Sequence, residues 1–264
     1  MIEISSVHNT KVKQVVLIQQ KSSERRKSGL FVVEGRREIL HCLAQGYHCH
    51  SLLVNMAMEG AEEFVQKTDC ENVYSVTPDV YSRMAYREGT EGAIALVNAR
   101  TLALADLHLP DNPLIIVLES VEKPGNLGAV IRTADAAKAD AVIVCDPLTD
   151  LYNPNLIRSS IGAIFTVPCV ACSSEECIRF LKERGIQILT AQLQDSSLYY
   201  DINMTLPTAI VMGTESTGLT DLWRNAADAH IRIPMLGELD SLNVSVSTAI
   251  LTFEAVRQRQ KVLV

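Results

Sequence analysis

The amino-acid sequence lacks any run approaching the roughly 18 consecutive apolar residues that a membrane-spanning helix requires. This absence excludes a membrane protein. The first residues also lack the basic segment followed by an apolar one that marks a secretory signal, so we expect a protein of the cytoplasm. With 47% hydrophobic and 21% charged residues, the composition is that of a globular chain. Its length of 264 residues favours two domains.

The seven cysteines lack the even number and regular spacing of a disulfide framework, so we expect free thiols. The tightest group is Cys169, Cys172 and Cys177, but no second pair follows at zinc-ribbon spacing. In His48-Cys49-His50, alternate strand residues point to opposite faces, which directs Cys49 away from both histidines. The sequence therefore predicts neither a disulfide nor a metal site.

Positive charge is concentrated near the N-terminus, although the chain as a whole carries a net charge of −7. Residues 1–50 hold eight lysines or arginines, all between positions 11 and 37, against four glutamates. A polyanion such as RNA would bind at this end of the molecule. A solvated surface helix and loop explain the same charges equally well.

The first hundred residues alternate short runs of branched apolar residues with amphipathic stretches of helical length. This pattern predicts a small α/β domain, which we assign to residues 1–105. Thr77 and Pro78 are expected to cap and begin one of its helices. The predicted strands are 30–33, 51–54, 73–76 and 93–97. The predicted helices are 9–20, 36–45, 59–67 and 78–84.

From residue 114 the alternation restarts more strongly, after a segment that we interpret as a linker. Near-continuous apolar strands separated by helices predict a largely parallel sheet covered on both faces, in a second domain over 106–264. The predicted strands are 114–120, 141–145, 164–167, 186–190, 209–212 and 230–233. The predicted helices are 127–139, 174–184, 219–227 and 244–259.

Ligands of open parallel sheets bind beyond the carboxyl ends of the strands. The first such place carries Gly125-x-x-Gly128, which is half of a dinucleotide-binding loop without the remainder of its pattern, so a nicotinamide enzyme is disfavoured. The helix that follows is apolar except for Arg132, which we place near Asn126. Arg132 either has a functional role in a binding site, or its methylene groups cover the core while its guanidinium lies in solvent.

Two further strand ends carry small and polar residues. An apolar strand stops at Gly213 and is followed by Glu215, which is either a functional carboxylate or a helix-start carboxylate. Before the last helix lie Ser241 and Asn243, either of which has a simple explanation as an N-cap. Taken singly, none of these three places establishes a function.

Taken together and in order, the three places resemble the three motifs of the SpoU (TrmH) branch of the SPOUT RNA methyltransferases. The segments are N-L-G-A-V-I-R-T-A-D-A, V-M-G-T-E-S-T-G-L and I-P-M-L-G-E-L-D-S-L-N-V-S-V-S. The resemblance extends to R-S-S-I-G-A-I-F-T-V-P at 158–168. In addition, F-V-V-E-G-R-R-E at 31–38 is similar to the start of an RNA-binding domain that resembles ribosomal protein L30e.

The resemblance implies a C-terminal α/β domain with a deep trefoil knot, which is a rare exception to chain topology. It also implies a homodimer and S-adenosylmethionine as the methyl donor. By analogy, the donor pocket is lined by Gly213, Ile233, Met235 and Leu242.

The implied reaction is methylation of a ribose 2'-hydroxyl. The resemblance assigns proton removal to Arg132, and it assigns the arrangement of arginine, phosphate and ribose to Asn126, Glu215, Ser241 and Asn243. Because a guanidinium has a pKa above about 12, it is a poor base. Arg132 would alternatively stabilise the developing alkoxide or bind a phosphate.

A basic N-terminal domain joined to this catalytic domain resembles the rRNA-modifying members of the family more than the minimal tRNA enzymes, and this resemblance implies 23S rRNA as the substrate. A tRNA substrate is the alternative within the same chemistry. From a different class, the chain could be a noncatalytic RNA-binding module, although its motif residues are intact.

Overall fold

The computed structural model describes residues 1–86, 91–214 and 217–261. It divides into two compact units. Unit 1 comprises Met1–Arg100 together with Tyr152–Ile157, and unit 2 comprises Thr101–Leu151 and Arg158–Val264. None of the described helices combines the length and the apolar character needed to cross a membrane.

Unit 1 is built on a five-stranded mixed sheet with the strand order β1-β4-β3-β5-β2. Its strands are β1 (Ile2–Ile4), β2 (Leu30–Glu34), β3 (Cys49–Asn55), β4 (Cys70–Val76) and β5 (Ala93–Asn98). Strands β1, β4 and β3 run parallel, whereas β5 pairs antiparallel with both β3 and β2. Its helices are α1 (Thr10–Gln20), α2 (Ser22–Ser28), α3 (Arg36–Ala44), α4 (Ala61–Lys67) and α5 (Pro78–Met84).

Helix starts in unit 1 follow local capping chemistry. The side chain of Asn9 accepts from the backbone of Lys11 at the start of α1, and Thr77 accepts from Val80 at the start of α5. Pro78 occupies the first turn of α5, as the sequence predicts. The short strand β1 and the polar helix α2 escape the sequence analysis because neither has a long apolar period.

The segment 152–157 groups with unit 1 because Tyr152 packs there. Its ring stacks on Phe31 with centroids 4.2 Å apart. Its hydroxyl donates to the carbonyl of Arg100 at 2.7 Å and accepts from the amide of the same residue at 3.0 Å. A short piece of distant sequence thus completes the core of this unit.

Not every basic residue near the N-terminus is available to a polyanion. Arg25 is only 6% exposed, and its guanidinium donates to the carbonyls of Ile18 at 2.6 Å and Gln19 at 2.9 Å. These bonds join α2 to the last turn of α1. Arg25 therefore has a structural role, and the interpretation of the N-terminal charges as a surface for a polyanion does not extend to it.

The expectation that all cysteines are free is wrong for one pair. Cys49 and Cys70 are directly opposite each other on the parallel strands β3 and β4, and a disulfide joins them. Their Cα atoms are 4.7 Å apart, within the range that a disulfide spans. Because strand register brings together residues that are distant in sequence, cysteine spacing alone does not reveal this pair.

Unit 2 contains a seven-stranded sheet with the order β10-β12-β9-β11-β6-β7-β8. Its strands are β6 (Leu114–Glu119), β7 (Ala141–Cys145), β8 (Cys169–Cys172), β9 (Gln187–Ala191), β10 (Ser197–Leu198), β11 (Thr208–Met212) and β12 (Ala229–Arg232). Every pairing in this sheet is parallel, which confirms the predicted parallel α/β architecture. The central strands β6, β7 and β11 are buried along their whole length.

Helices enclose this sheet. Those of unit 2 are α6 (Pro124–Ala137), α8 (Ser174–Glu183), α9 (Asp221–Ala226) and α10 (Val244–Lys261), while α7 (Pro154–Ser159) is shared with unit 1. Helix α10 packs against α6, β11 and β6. Helices α8 and α9 pack together, where the indole of Trp223 donates to the hydroxyl of Ser174 at 2.9 Å.

The strand predicted at 164–167 is wrong. Residues Ala163–Phe165 form a short 3-10 helix after Gly162, whose φ of +82° turns the chain, and the strand of this region is β8 further along. The three residues of the 3-10 helix are buried. An apolar run of this length buries its side chains equally well in a tight turn, so its composition did not distinguish the two structures.

The C-terminal turn of α10 is held to the sheet by Arg259. Its guanidinium donates to the carbonyls of Met204, Asn112, Pro113 and Leu206 at 2.8–3.0 Å. Burial lowers the pKa of Arg259 because it disfavours the charged form. Four carbonyl oxygens offset that cost, so one side chain ties α10 to the segments that lead into β6 and β11.

Replacing Arg259 with methionine should destabilise unit 2 by about 2–4 kcal/mol. A hydrogen bond from a charged group contributes about 1.5–3 kcal/mol, and the four bonds do not add fully because they share one side chain. Urea denaturation followed by circular dichroism measures the change. The matched control is Arg179→Met, which removes an exposed arginine from α8 and should change stability by less than about 0.5 kcal/mol. Equal stability of the two variants would contradict the assignment.

Candidate active site

A cavity of about 350 Å³ opens at the carboxyl ends of β9, β11 and β12, where ligands of parallel sheets bind. Four of its lining residues are those assigned by resemblance to the donor pocket: Gly213, Ile233, Met235 and Leu242. The wall combines apolar side chains with a few polar ones. The other described lining residues include Gln192, Leu193, Met212, Thr214, Arg224, Ile231, Asp240, Ser241 and Leu251.

Gly213 is required where it stands because the loop after β11 folds back on itself. A Cβ atom at this position would lie 2.6 Å from the backbone nitrogen of Leu219 and closer still to the carbonyl group of Gly218. Both neighbours are backbone, so neither can rotate away. Even alanine would push the loop open at the floor of the cavity.

The same loop is closed by hydrogen bonds. The amide of Gly218 donates to the carbonyl of Thr214 at 3.0 Å, and the hydroxyls of Thr214 and Thr217 are 2.7 Å apart. Gly218 has a φ of +68°, which a residue with a side chain rarely adopts. These bonds hold the described ends of the loop, at Thr214 and at Thr217–Gly218, close to each other.

A buried carboxylate attaches the end of this loop to the sheet. Glu119, the last residue of β6, is 3% exposed. Its two oxygens accept from the amide of Thr220 at 2.9 Å and from the hydroxyl of Thr220 at 2.6 Å. Since Thr220 is the N-cap residue of α9, these bonds fix the start of that helix beside the cavity.

Asn126 and Asn243 lie together although 117 residues separate them along the chain. The side-chain amide of Asn243 donates to Oδ1 of Asn126 at 3.2 Å. Oδ1 of Asn243 also accepts from the amide and hydroxyl of Ser245, at 3.0 and 2.6 Å. Asn243 therefore acts both as the cap of α10 and as the connection from α10 to α6, so the two explanations offered by the sequence are compatible.

The other predicted catalytic residues differ in position. Ser241 lines the cavity. Arg132 is on α6, two turns beyond Asn126, and its side chain is exposed with no hydrogen bond or ion pair to the described part of the chain. Glu215 lies outside the described residues.

The sequence analysis missed Gln192 and Arg224, both of which line the cavity. Oε1 of Gln192 and Nε of Arg224 are buried and find no hydrogen-bond partner within the described ranges. Buried polar atoms without partners are costly in a folded protein, so such atoms at a cavity wall suit a polar ligand. Gln192 directly follows β9, so inspecting every strand end would have found it; Arg224 is within α9 and has no comparable mark in the sequence.

The arrangement suits a small organic molecule with both apolar and charged parts. The volume is within the range of about 300–1,000 Å³ typical of small-molecule sites. An exposed guanidinium and a pair of bridged asparagines, on two helices that pack together, offer hydrogen bonds to a second, larger substrate.

Family comparisons agree with both halves of the chain. Residues 113–253 match the model of the SpoU rRNA methylase family, and residues 9–95 match the MRM3-like substrate binding domain. RlmP of Bacillus subtilis, a 23S rRNA (guanosine-2'-O)-methyltransferase, is 30% identical over 96% of this chain and 98% of its own. A 23S rRNA (uridine-2'-O)-methyltransferase of Streptomyces viridochromogenes is 29% identical over 95% of this chain and 91% of its own.

Structural comparison gives the same result. An rRNA methyltransferase of Sinorhizobium meliloti, solved with S-adenosylmethionine bound, superposes with a TM-score of 0.89 at 30% identity, covering 97% of each chain. The matches therefore extend over both units rather than over one isolated domain. From the matched family model and the full-length relatives, it follows that this chain belongs to the SpoU rRNA methylase family.

Proposed function

We propose that this protein transfers a methyl group from S-adenosylmethionine to a ribose 2'-hydroxyl of 23S rRNA. The observation that carries the proposal is the cavity in which Gly213, Ile233, Met235 and Leu242 meet, in a chain whose full-length relatives are 23S rRNA 2'-O-methyltransferases. We assign the donor site and the methyltransferase domain to residues 106–264. Residues 1–105 form the substrate-binding domain.

The residues of the cavity fit the donor. Leu193, Met212 and Leu251 provide apolar surface for an adenosine, while the buried unpartnered atoms of Gln192 and Arg224 offer hydrogen bonds to its polar groups. Gly213 lets the loop backbone at Gly218 and Leu219 close against it, where a Cβ atom would clash and displace the cavity wall. When bound, S-adenosylmethionine supplies a methyl group attached to a sulfonium that is a good leaving group.

The chain's own residues then position the ribose and stabilise its oxygen. Asn126 and Asn243 are held by their mutual hydrogen bond and by the cap of α10, so they present fixed groups to the nucleotide. Arg132, Glu215 and Ser241 complete this set. Correct positioning of two reactants corresponds to effective molarities of about 10⁵–10⁸ M, so orientation alone is a large part of such catalysis.

The proposed knot is supported by the path of the C-terminal segment. Strand β12 lies beyond β9 in the sheet, whereas α10 packs on α6, β11 and β6. After β12 the chain must return towards the centre of the sheet, close to the loop after β11 that lines the same cavity. A deep trefoil knot, as in the SPOUT fold, accounts for such a return.

A homodimer is the proposed assembly. Leu236 and Leu239, in the segment before α10, are 97% and 80% exposed. Val246 and Phe253 on α10 are also exposed. Large apolar side chains grouped on one exposed stretch are typical of an interface, and most soluble oligomers pair identical subunits.

We further propose that unit 1 binds the RNA in the manner of ribosomal protein L30e. Its match to a substrate-binding domain and its basic N-terminal segment support this role. Lys13, Arg26 and Lys27 are all exposed, unlike Arg25, so their charges can reach a phosphate backbone.

Transfer of labelled methyl from S-adenosylmethionine to 23S rRNA transcribed in vitro, with the product mapped to the ribose, tests the proposed activity. We expect Arg132→Ala to lower the transfer rate by about 10²–10⁴-fold, because a positioned charged group at the reacting oxygen contributes on this scale. Arg184→Ala, on the exposed end of α8, should retain the wild-type rate.

Two other outcomes would indicate a different function, and a third would change the role of Arg132. Label only in an unmodified tRNA pool would establish a tRNA methyltransferase. Binding of donor and 23S rRNA without transfer to either pool would favour a noncatalytic RNA-binding module. An Arg132→Ala variant with full activity would remove Arg132 from the site.

Replacing Gly213 with alanine should weaken donor binding at least tenfold, since the added methyl group displaces the backbone at Gly218 and Leu219. Isothermal titration with S-adenosylmethionine measures the affinity. Gly125→Ala is the matched control because a Cβ atom there meets nothing within 4 Å, and its affinity should stay within about twofold of wild type. Similar affinities of the two variants would place the donor elsewhere.

Changing Lys13, Arg26 and Lys27 together to glutamine should weaken RNA binding and flatten its dependence on salt. If each cation neutralises one phosphate, the slope of log affinity against log salt should fall by about 2–3. Fluorescence anisotropy at several KCl concentrations measures the slope. The control changes Arg179, Lys182 and Arg184 of unit 2 to glutamine. An equal loss in that control would show a general charge effect.

A further inference from the structure

Three cysteine side chains of unit 2 converge on one point. Cys145 ends β7, Cys172 ends β8, and Cys177 is in the first turns of α8. The three sulfur atoms all lie within 4.8 Å of one another. Among the described residues, no other group of three or more histidine, cysteine or acidic side chains comes together in this way.

We propose that Cys145, Cys172 and Cys177 bind one thiophilic metal ion of the Zn²⁺ type. Zinc–sulfur bonds of about 2.3 Å in tetrahedral geometry place the sulfurs roughly 3.8 Å apart. The observed spacing therefore requires only small side-chain movements. Three thiolates leave one coordination position, which a solvent molecule fills on the side of Cys172, the one of the three that is partly exposed.

The backbone around the three thiols is fixed by several bonds. Cys145 and Cys172 are directly paired residues of the parallel strands β7 and β8. Helix α8 is positioned by a capping box between Ser173 and Glu176. Such support holds ligands in place before a metal arrives.

Two acidic side chains lie beside the group of cysteines. Asp146 and Glu176 both act on Cys172 as negative neighbours. The carboxylate of Asp146 accepts from the hydroxyl of Ser174 at 2.6 Å, so it is held at this position.

This site is separate from the donor cavity. The cavity is formed at β9, β11 and β12, whereas β7 and β8 lie at the opposite side of the sheet, beyond β6. A metal here would link two strand ends to α8 without contact with the methyl donor. Its role is therefore structural, and it goes beyond the proposed methyl transfer.

The sequence analysis set aside Cys169, Cys172 and Cys177 for lack of a suitable spacing. The structure replaces one member of that set. Cys169 begins β8 and is not among the three grouped sulfurs, while Cys145 arrives from a different strand. A metal-ligating cysteine from a distant part of the sequence cannot be recognised from the spacing of neighbouring cysteines.

The test uses full-length protein with the Cys49–Cys70 disulfide intact and the other thiols reduced. It is incubated with excess ZnCl₂ and freed of unbound metal, and zinc is measured by mass spectrometry. We expect one equivalent per chain in the wild type and in Cys169→Ser, which removes a buried thiol outside the group. Cys172→Ser should lose that equivalent or bind it at least tenfold more weakly. Circular dichroism checks that each variant is folded.

A second measurement does not depend on retention of the metal. Titration with CdCl₂ should give a thiolate-to-cadmium charge-transfer band that saturates at one equivalent in the wild type and in Cys169→Ser, but not in Cys172→Ser. Zinc should also raise the melting temperature of the first two proteins only. Absence of bound zinc and of the cadmium band in the reduced wild type would overturn the proposal, as would equal binding by Cys172→Ser.

Discussion

The parallel backbone pairing of the seven strands in unit 2 is the constraint on which the rest of this molecule depends. Parallel strands need a crossover between each pair, and a sheet buried on both faces needs those crossovers to be helices. All seven strands then end at one edge. The cavity lined by Gly213 and the three grouped cysteines both lie at that edge, at opposite sides of the sheet. Backbone hydrogen bonding thus decides where functional residues can collect.

The edge becomes a specific site because its loops are held rigid by a few polar contacts. Glu119 ties the start of α9 to β6, and Asn243 ties the start of α10 to α6. Gly213 permits the backbone contact that closes the loop between them. The Glu119 carboxylate, which would be costly to bury alone, is fully engaged, so the start of α9 needs little reorganisation when a ligand binds. A preformed pocket of this kind favours the affinity for a ligand, because loops and side chains lose less conformational freedom when the ligand binds.

Most of the secondary structure could be predicted from the sequence, because buried strands and amphipathic helices leave periodic patterns. The parallel sheet and the motif residues in the loops were also accessible, since strand ends can be read from where apolar runs stop. The features that were missed depend on contacts between distant residues. The Cys49–Cys70 disulfide requires a strand register, and the burial of Arg25 requires the packing of α2 on α1. Glu119 stood within a recognised segment, but its partner Thr220 is 101 residues away.

The relatives also limit what the catalytic site must recognise. Two full-length relatives of nearly equal similarity act on a guanosine and on a uridine, yet both modify the ribose. In these relatives the chemical step therefore concerns the ribose, which every nucleotide of RNA shares. Arginine stays protonated in proteins, so an exposed Arg132 is suited to bind a phosphate or a developing oxyanion, and less suited to accept a proton. Because contacts to ribose and phosphate carry no information about the base, the choice of nucleotide in such relatives falls to contacts with the base or its surroundings.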